Sequence, residues 1–151
     1  MQLTPHFHLS EFTYSETAKR LGIDNTPPPE IVWRIAQTAF ALETLRAAVY
    51  RKSVIVMSGW RSAAVNTAVG GTDTSDHMTG WAADYRVAGT TAMPAAKAAR
   101  DFLLSSRMPF DQLIYEPRRG IVHLSIAPQY RCQIRTQRGG PGSPLEIGIP
   151  E

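Results

Sequence analysis

The chain has 151 residues, 43% of them apolar and 19% charged, which is typical of one globular domain with a sizeable core. Its single cysteine, Cys132, excludes an internal disulfide and suits a reducing compartment. No apolar run approaches the roughly 20 residues that a membrane-spanning helix needs.

The net charge is only +3, and the late part of the chain holds a loose group of basic residues: Arg118, Arg119, Arg131, Arg135 and Arg138. These residues suit either an anionic partner or a solvated basic face, and the solvated face is favoured. No nucleic-acid-binding motif accompanies them, so no nucleic-acid partner is expected.

The first third of the chain predicts an extended lead-in followed by two helices. Residues 1–9 are extended, and a short helix begins after Ser15 and stops at Gly22. Pro27–Pro29 then starts a longer helix. Apolar residues recur along it at helical spacing and predict a face packed on the core: Ile31, Ile35, Ala39, Leu42, Leu45 and Val49.

The rest of the chain predicts short strands that alternate with helical segments. The predicted strands are Ser53–Ser58, Trp81–Val87, Gln112–Glu116, Ile121–Ile126 and an edge strand in Tyr130–Gln137. Helical turns are predicted over Ser62–Val69 and a helix over Pro94–Ser105. We expect an α+β fold, in which helices pack on a small, mainly antiparallel sheet. Residues 1–137 form the predicted domain, and residues 138–151, rich in glycine and proline, a flexible C-terminal tail.

Three residues form a candidate metal site. His77 and Asp84 lie seven residues apart in a stretch rich in turn-formers, and His123 lies on the last strand of the hairpin. Two histidines and one carboxylate are the usual protein ligands of a catalytic zinc ion. By spacing alone, a hydrogen-bonded His77–Asp84 pair and a buried core histidine at position 123 remain open alternatives.

Several motifs together resemble the zinc D-Ala-D-Ala carboxypeptidase family, and especially its small single-domain members, which include phage endolysin-type peptidases. The likeness covers roughly residues 7–137 and is carried by these segments: Leu9–Phe12, Asn25-x-Pro27, Ser58–Ser62, Asn66, Val69–Gly71, Ser75-x-His77-x-x-Gly80-x-Ala82-x-Asp84, Asp111–Glu116 and Val122–Ser125.

The resemblance implies a zinc ion held by His77, Asp84 and His123, in a fold shared with the signalling domain of hedgehog proteins. It also implies that Arg61 contacts the substrate near the scissile bond, where a guanidinium can bind a carboxylate or an oxyanion. Ser75 is expected in the substrate site, where its hydrogen bonds orient the ligands. Asp76 is expected to point away.

The general base is less clear from the sequence. Many members of the family carry an acidic residue three positions before the last histidine, where this chain has Gly120. Glu116, across the hairpin turn from His123, is the substitute we predict. In the alternative, Glu116 only pairs with Arg118, Arg119 or Arg61.

The expected activity is zinc-dependent hydrolysis of a peptide bond in bacterial peptidoglycan, by a carboxypeptidase or an endopeptidase. A monomeric phage or prophage lysis enzyme is expected, since no secretory signal is recognised. Such a protein is made in the cytoplasm and reaches the cell wall through a pore, or is carried by the virion. The alternative is a zinc-containing, non-catalytic binding module of the same fold.

Overall fold

The computed structural model describes all residues, Met1–Glu151, as helices packed on a mixed sheet. The helices are α1 Leu9–Thr13, α2 Glu16–Leu21, α3 Pro29–Leu45, α4 Ala63–Ala68 and α5 Ala92–Ser106, and α3 continues into a π-helical turn, Arg46–Tyr50. The strands are β1 Gln2–Thr4, β2 Phe7–His8, β3 Val54–Ser58, β4 Ala82–Val87, β5 Gln112–Glu116, β6 Ile121–Ser125, β7 Gln133–Thr136 and β8 Glu146–Ile147.

The main sheet has the strand order β3-β4-β6-β5-β7-β8. Every neighbouring pair is antiparallel except β5 and β7, which run parallel. This arrangement confirms the predicted α+β fold with a mainly antiparallel sheet. None of the helices combines the length and the apolar character that a membrane crossing would require.

The two faces of the sheet have different roles because side chains alternate along a strand. On one face, alternate residues of the three central strands join α3 and α5 in a single hydrophobic core: Ala83, Tyr85 and Val87 of β4, Leu113 and Tyr115 of β5, and Val122 and Leu124 of β6. The residues between them, including Asp84, Glu116 and His123, point to the opposite face, where a cleft lies.

The predicted apolar stripe of α3 is confirmed. Ile31, Ile35, Ala39, Leu42 and Leu45 are buried, and Val49 in the π-helical turn is half-buried against the same core. The helix begins at Pro29, whose fixed φ and missing N–H suit a first helical turn.

The N-terminal residues differ from the predicted extended lead-in. β1 and β2 form a small antiparallel hairpin, and α1 follows directly. Phe7 and Phe12 are both buried, and their rings meet edge to face at 5.9 Å. The cap of α1 is His8, whose ring accepts a hydrogen bond from the backbone N–H of Ser10. A histidine cap on a five-residue helix is a weak local signal, so tertiary burial of the two phenylalanines decides this segment.

Residues 138–151, predicted as a flexible tail, pack against the sheet. β8 pairs with β7, so β7 has a neighbour on both sides and is not an edge strand. Thr136 donates a hydrogen bond to the Gly148 carbonyl at 2.7 Å, and Ile149 is buried in the core. The glycines and prolines of this segment hid the short strand from the sequence pattern. The domain boundary at residue 137 stays a prediction.

Candidate metal centre

Strand pairing brings two of the predicted ligands together. Asp84 on β4 lies directly opposite His123 on β6, and on its other side it is paired with Ser58 of β3. Residues directly opposite in an antiparallel pair project to the same face with their Cβ atoms about 5 Å apart. The register of the sheet therefore places the carboxylate and the second imidazole side by side, although 39 residues separate them.

His77 reaches the same point from the loop before β4. Its backbone carbonyl accepts a hydrogen bond from the Arg61 N–H at 3.1 Å, which ties the loop to the end of β3. The Nδ1 atom of its ring lies 2.6 Å from the carbonyl oxygen of Gly59. Gly59 has no room for a side chain, because a Cβ atom there would lie 2.4 Å from the Phe12 carbonyl oxygen. The close packing of α1 on Gly59 therefore fixes the carbonyl that orients His77.

The three side chains converge on Asp84. Its Oδ1 atom lies 3.1 Å from His77 Nε2 and 2.8 Å from His123 Nδ1, and one ligand-type atom from each residue lies within 4.8 Å of the others. Ligand atoms at about 2.0–2.2 Å from one zinc ion lie on the order of 3.4 Å apart at a tetrahedral angle. The spacing of the set thus needs a change of only a few tenths of an ångström to hold one ion.

The tautomer of His77 supports this interpretation. Because the Gly59 carbonyl oxygen can only accept, Nδ1 of His77 carries the proton and donates it. A neutral His77 then presents the lone pair of Nε2 to the carboxylate oxygen of Asp84, and two acceptors in contact require a cation between them. Burial lowers the pKa of His77, although the Asp84 charge opposes this shift, so the neutral form that binds metals is favoured.

The second oxygen of Asp84 faces two arginines. Arg119 donates from Nη2 to Oδ2 at 2.9 Å, and Arg61 approaches the same atom at 3.4 Å. Burial acts to raise the pKa of the Asp84 carboxyl, but the neighbouring His77 and His123 rings outweigh it and hold that pKa well below its usual range. Asp84 is therefore ionised, and its Oδ1 atom alone faces the two histidines.

Glu116 lies beside this group and is paired with Arg119. On the sheet, the position opposite His123 is Ile114, so Glu116 is a diagonal neighbour of His123 at about 7–8 Å between Cα atoms. Its carboxylate accepts hydrogen bonds from Arg119 Nη1 at 3.2 and 3.4 Å. The ion pair foreseen as an alternative therefore exists, with Arg119 as the partner. Burial and the Asp84 charge raise the pKa of Glu116, and Arg119 opposes them.

Gly120 occupies the position where an acidic residue is common in the resembled family. Its φ of +61° lies in the left-handed region, and its N–H closes the hairpin turn on the Pro117 carbonyl. Glycine adopts this conformation without strain, whereas an aspartate or glutamate would be disfavoured there. The geometry of this turn gives a physical reason for the missing acid.

The remaining predicted residues also line the cleft. Arg61 is held in place by hydrogen bonds from Nε and Nη2 to the Ser58 hydroxyl at 3.2 and 3.1 Å. Ser75 accepts a hydrogen bond from the His77 backbone N–H at 3.3 Å and so supports the loop. The expectation for Asp76 was wrong: it lines the same cleft and accepts a hydrogen bond from Ser125 at 2.6 Å.

The cleft has a volume of about 510 Å³, and its walls are almost entirely polar. His77, Asp84, Glu116 and His123 lie within it, and the C-terminal segment supplies one wall through Pro141, Gly142, Ser143 and Leu145. This volume is within the range of small-molecule and peptide sites, about 300–1,000 Å³.

Two features of the site were not predicted. The contact of Arg119 with Asp84 joins a turn residue to a strand residue across the sheet, and only its mention as a possible partner of Glu116 anticipated it. The other feature is a rigid arginine at the rim, Arg131, whose Nε atom and backbone N–H both donate to buried Asp111 at 2.9 Å. A buried acid followed by a basic cluster was the one available signal.

Comparison with known proteins agrees with this site. A sequence model for the family described as Peptidase M15 matches residues 5–125, which include all three residues of the candidate metal centre. No curated protein matches the chain. Because the family match covers well over half of the 151 residues, the chain belongs to the M15 peptidase family, the zinc-dependent family of the D-Ala-D-Ala carboxypeptidases.

Proposed function

We propose that the chain is a zinc peptidase that hydrolyses peptide bonds of bacterial peptidoglycan. The observation that carries the proposal is the convergence of His77, Asp84 and His123 on one point in a polar cleft, with the carboxylate of Glu116 next to them. A metal-binding group at the bottom of an open cleft suits catalysis, because a structural zinc site is closed by four protein ligands.

When bound, zinc would supply a Lewis acid that polarises the peptide carbonyl and lowers the pKa of water. Glu116 accepts the proton of the attacking water and passes it to the leaving amine. Its pKa is raised by burial and by the Asp84 charge, which brings it nearer to the operating pH and makes it a better proton shuttle than an exposed glutamate.

The two arginines serve different parts of this reaction. Arg61, fixed by Ser58, offers its remaining N–H groups to the acyl oxygen, on which negative charge develops during attack. Arg119 bridges Asp84 and Glu116, so it holds the base beside the metal ligands. We regard Arg119 as a positioning residue, since its contacts are to protein carboxylates.

The substrate assignment rests on the resemblance to the D-Ala-D-Ala carboxypeptidases and on the polar character of the cleft. The net charge of +3 also suits an anionic polymer such as the cell wall. A phage or prophage lysis enzyme that acts on the wall as a monomer is the biological setting we propose.

The decisive experiment is mass spectrometry of muropeptides after digestion of purified peptidoglycan by the zinc-loaded protein. We expect new peptide termini, loss of activity with a chelator and recovery with zinc. The variant His123→Ala is the matched negative control. If no bond is cut by the zinc-loaded protein in peptidoglycans of different cross-link chemistry, the proposed activity is wrong.

A second candidate is a non-catalytic module that binds peptidoglycan through the same centre. The observation in its favour is that the Glu116 carboxylate is already engaged by Arg119, while Gly120 replaces the usual acid. Co-sedimentation with insoluble peptidoglycan separates the two candidates, because the module binds zinc and cell wall without releasing any peptide.

A further inference from the structure

A second cavity of about 410 Å³ lies on the other side of the two arginines that contact Asp84. Its walls come from the junction of α1 and α2, from the end of β3 and from α4. Arg61 and Arg119 line this cavity and the metal-site cleft alike, and so does Pro141 of the C-terminal segment. The two cavities therefore meet above Asp84, and together they form one groove with the candidate metal centre near its middle.

The second cavity has a different chemical character from the cleft. Met57, Trp60, Val65 and Val69 give it an apolar wall, whereas the cleft is almost entirely polar. Met57 is 45% exposed there, although a large apolar side chain in water contributes nothing to folding. This wall suits an uncharged peptide segment with small apolar side chains.

The charges in the groove do not suit a free peptide terminus beside the metal centre. An enzyme that removes only the last residue needs a cation for the free carboxylate just beyond the scissile bond. The only basic residues of the second cavity are Arg61 and Arg119, and both already contact Asp84. The cavity also contains Glu16, which would repel a carboxylate. On the other side, the cleft extends along β5 to Gln112, two residues or about 7 Å from the position opposite His123.

We infer that the substrate peptide runs through both cavities and that the bond cleaved is internal, so the protein is an endopeptidase with an apolar subsite at Met57, Val65 and Val69. This inference rests on the proposed peptidase function and specifies its substrate. The segment that closes the groove over the arginines includes Pro141, which lies beyond the family match at residues 5–125. The shape of the groove is therefore partly a property of this chain rather than of the whole family.

The test combines two substrates with two matched variants. The substrates are a stem pentapeptide with a free or an amidated C-terminus and a cross-linked muropeptide dimer. We expect cleavage within the chain, products of at least two residues and little effect of amidation. Release of single terminal residues that amidation abolishes would overturn the inference and leave the peptidase function standing.

Met57→Glu and Ile55→Glu are the matched variants. Both residues lie on the same face of β3 with similar exposure, 45% and 48%, but only Met57 lines the second cavity. Placing a carboxylate against bound apolar groups is unfavourable, so Met57→Glu should raise KM for the dimer by about tenfold or more with little change in kcat. Ile55→Glu should behave as wild type. Equal KM values for the two variants would count against the subsite.

Calorimetric titration of the dimer into chelator-treated protein supplies a readout that needs no turnover. Binding weakened by Met57→Glu but not by Ile55→Glu supports the groove even if no bond is ever cut, in which case only the peptidase function fails. Binding that ignores both variants, or that is absent, contradicts the groove.

Discussion

Replacing Glu116 with glutamine tests the proposed general base. Glutamine has nearly the same shape, and its amide oxygen can still accept a hydrogen bond from Arg119. A positioned acid-base group contributes on the order of 10²–10⁴ in rate, so we expect kcat to fall by about that factor, which corresponds to about 3–5 kcal/mol of activation free energy.

The cost to folding should be far smaller. The ion pair that is lost joins Glu116, 5% exposed, to Arg119, which is one-third exposed at its side chain. Half-exposed pairs of this kind contribute about 0–1 kcal/mol, so Tm should change by no more than roughly 2–4 °C in a domain of this size. Activity and stability are thus predicted to separate clearly, and zinc content should stay at the wild-type value.

The pH dependence gives a second readout. The pKa of Glu116 is raised above its ordinary value of 4.5 by burial and by the Asp84 charge, so the acid limb of the kcat/KM profile should lie above that pH. The limb should vanish in Glu116→Gln. Arg119 lowers this pKa, so Arg119→Gln should move the limb to higher pH. Bound zinc acts on wild type and Arg119→Gln alike, so their difference keeps its sign.

The assay is steady-state hydrolysis of a muropeptide between pH 4 and 9, with zinc measured by atomic emission and Tm by scanning calorimetry. Glu146→Gln, an exposed glutamate on β8, is the matched control and should behave as wild type. Near-normal turnover in Glu116→Gln would point to another base. Loss of zinc together with activity would mean that Glu116 supports the metal centre instead.

Three further predictions concern the metal, the substrate arginine and acid stability. His77→Ala, Asp84→Ala and His123→Ala should each lose the single zinc ion measured in wild type, and a chelator should then no longer lower Tm; wild-type zinc content in all three would place the metal elsewhere. Arg61→Lys should keep zinc and Tm but cut kcat/KM by about tenfold or more, because lysine cannot replace a planar two-pronged donor; unchanged kinetics would remove Arg61 from the mechanism. The pKa of Glu43 falls from 4.5 to about 2 because hydrogen bonds from Arg46, Thr4 and His6 outweigh the effect of burial. A lowered carboxyl pKa stabilises the fold above the unfolded-state value, so stability should decline from about pH 4.5 to pH 2, and Glu43→Gln should flatten Tm over that interval, whereas Glu30→Gln on the same helix should leave it unchanged.

Much of the architecture follows from local sequence patterns. The stripe of α3 and the alternation along β6 are periodic, and periodicity specifies which side of an element is buried. The same reasoning placed Asp84 and His123 on strands and His77 in the loop before β4, all of which the structure confirms. The family resemblance, carried by short motifs with fixed spacing, added the expectation that these three residues meet.

The sequence was less informative where stability comes from partners far along the chain. The hairpin at residues 2–8 and strand β8 at Glu146–Ile147 have few residues and weak local signals, so a pattern search misses them. Both are held by burial of single side chains, Phe7 and Ile149, in a core that the rest of the chain builds. Local propensity is a weak guide for such segments, because tertiary packing supplies their stability.

The sequence by itself determined the elements, the faces they bury and the candidate metal ligands, since each depends on neighbours a few residues away. Only the tertiary structure decided how the charges of the site are shared. Arg119 reaches Asp84 across 35 positions and Glu116 across three, and Pro141 joins two cavities from a segment with no strand pattern of its own. Such contacts depend on strand register and on the path of a turn, and the energy that sets them comes from the whole packed sheet.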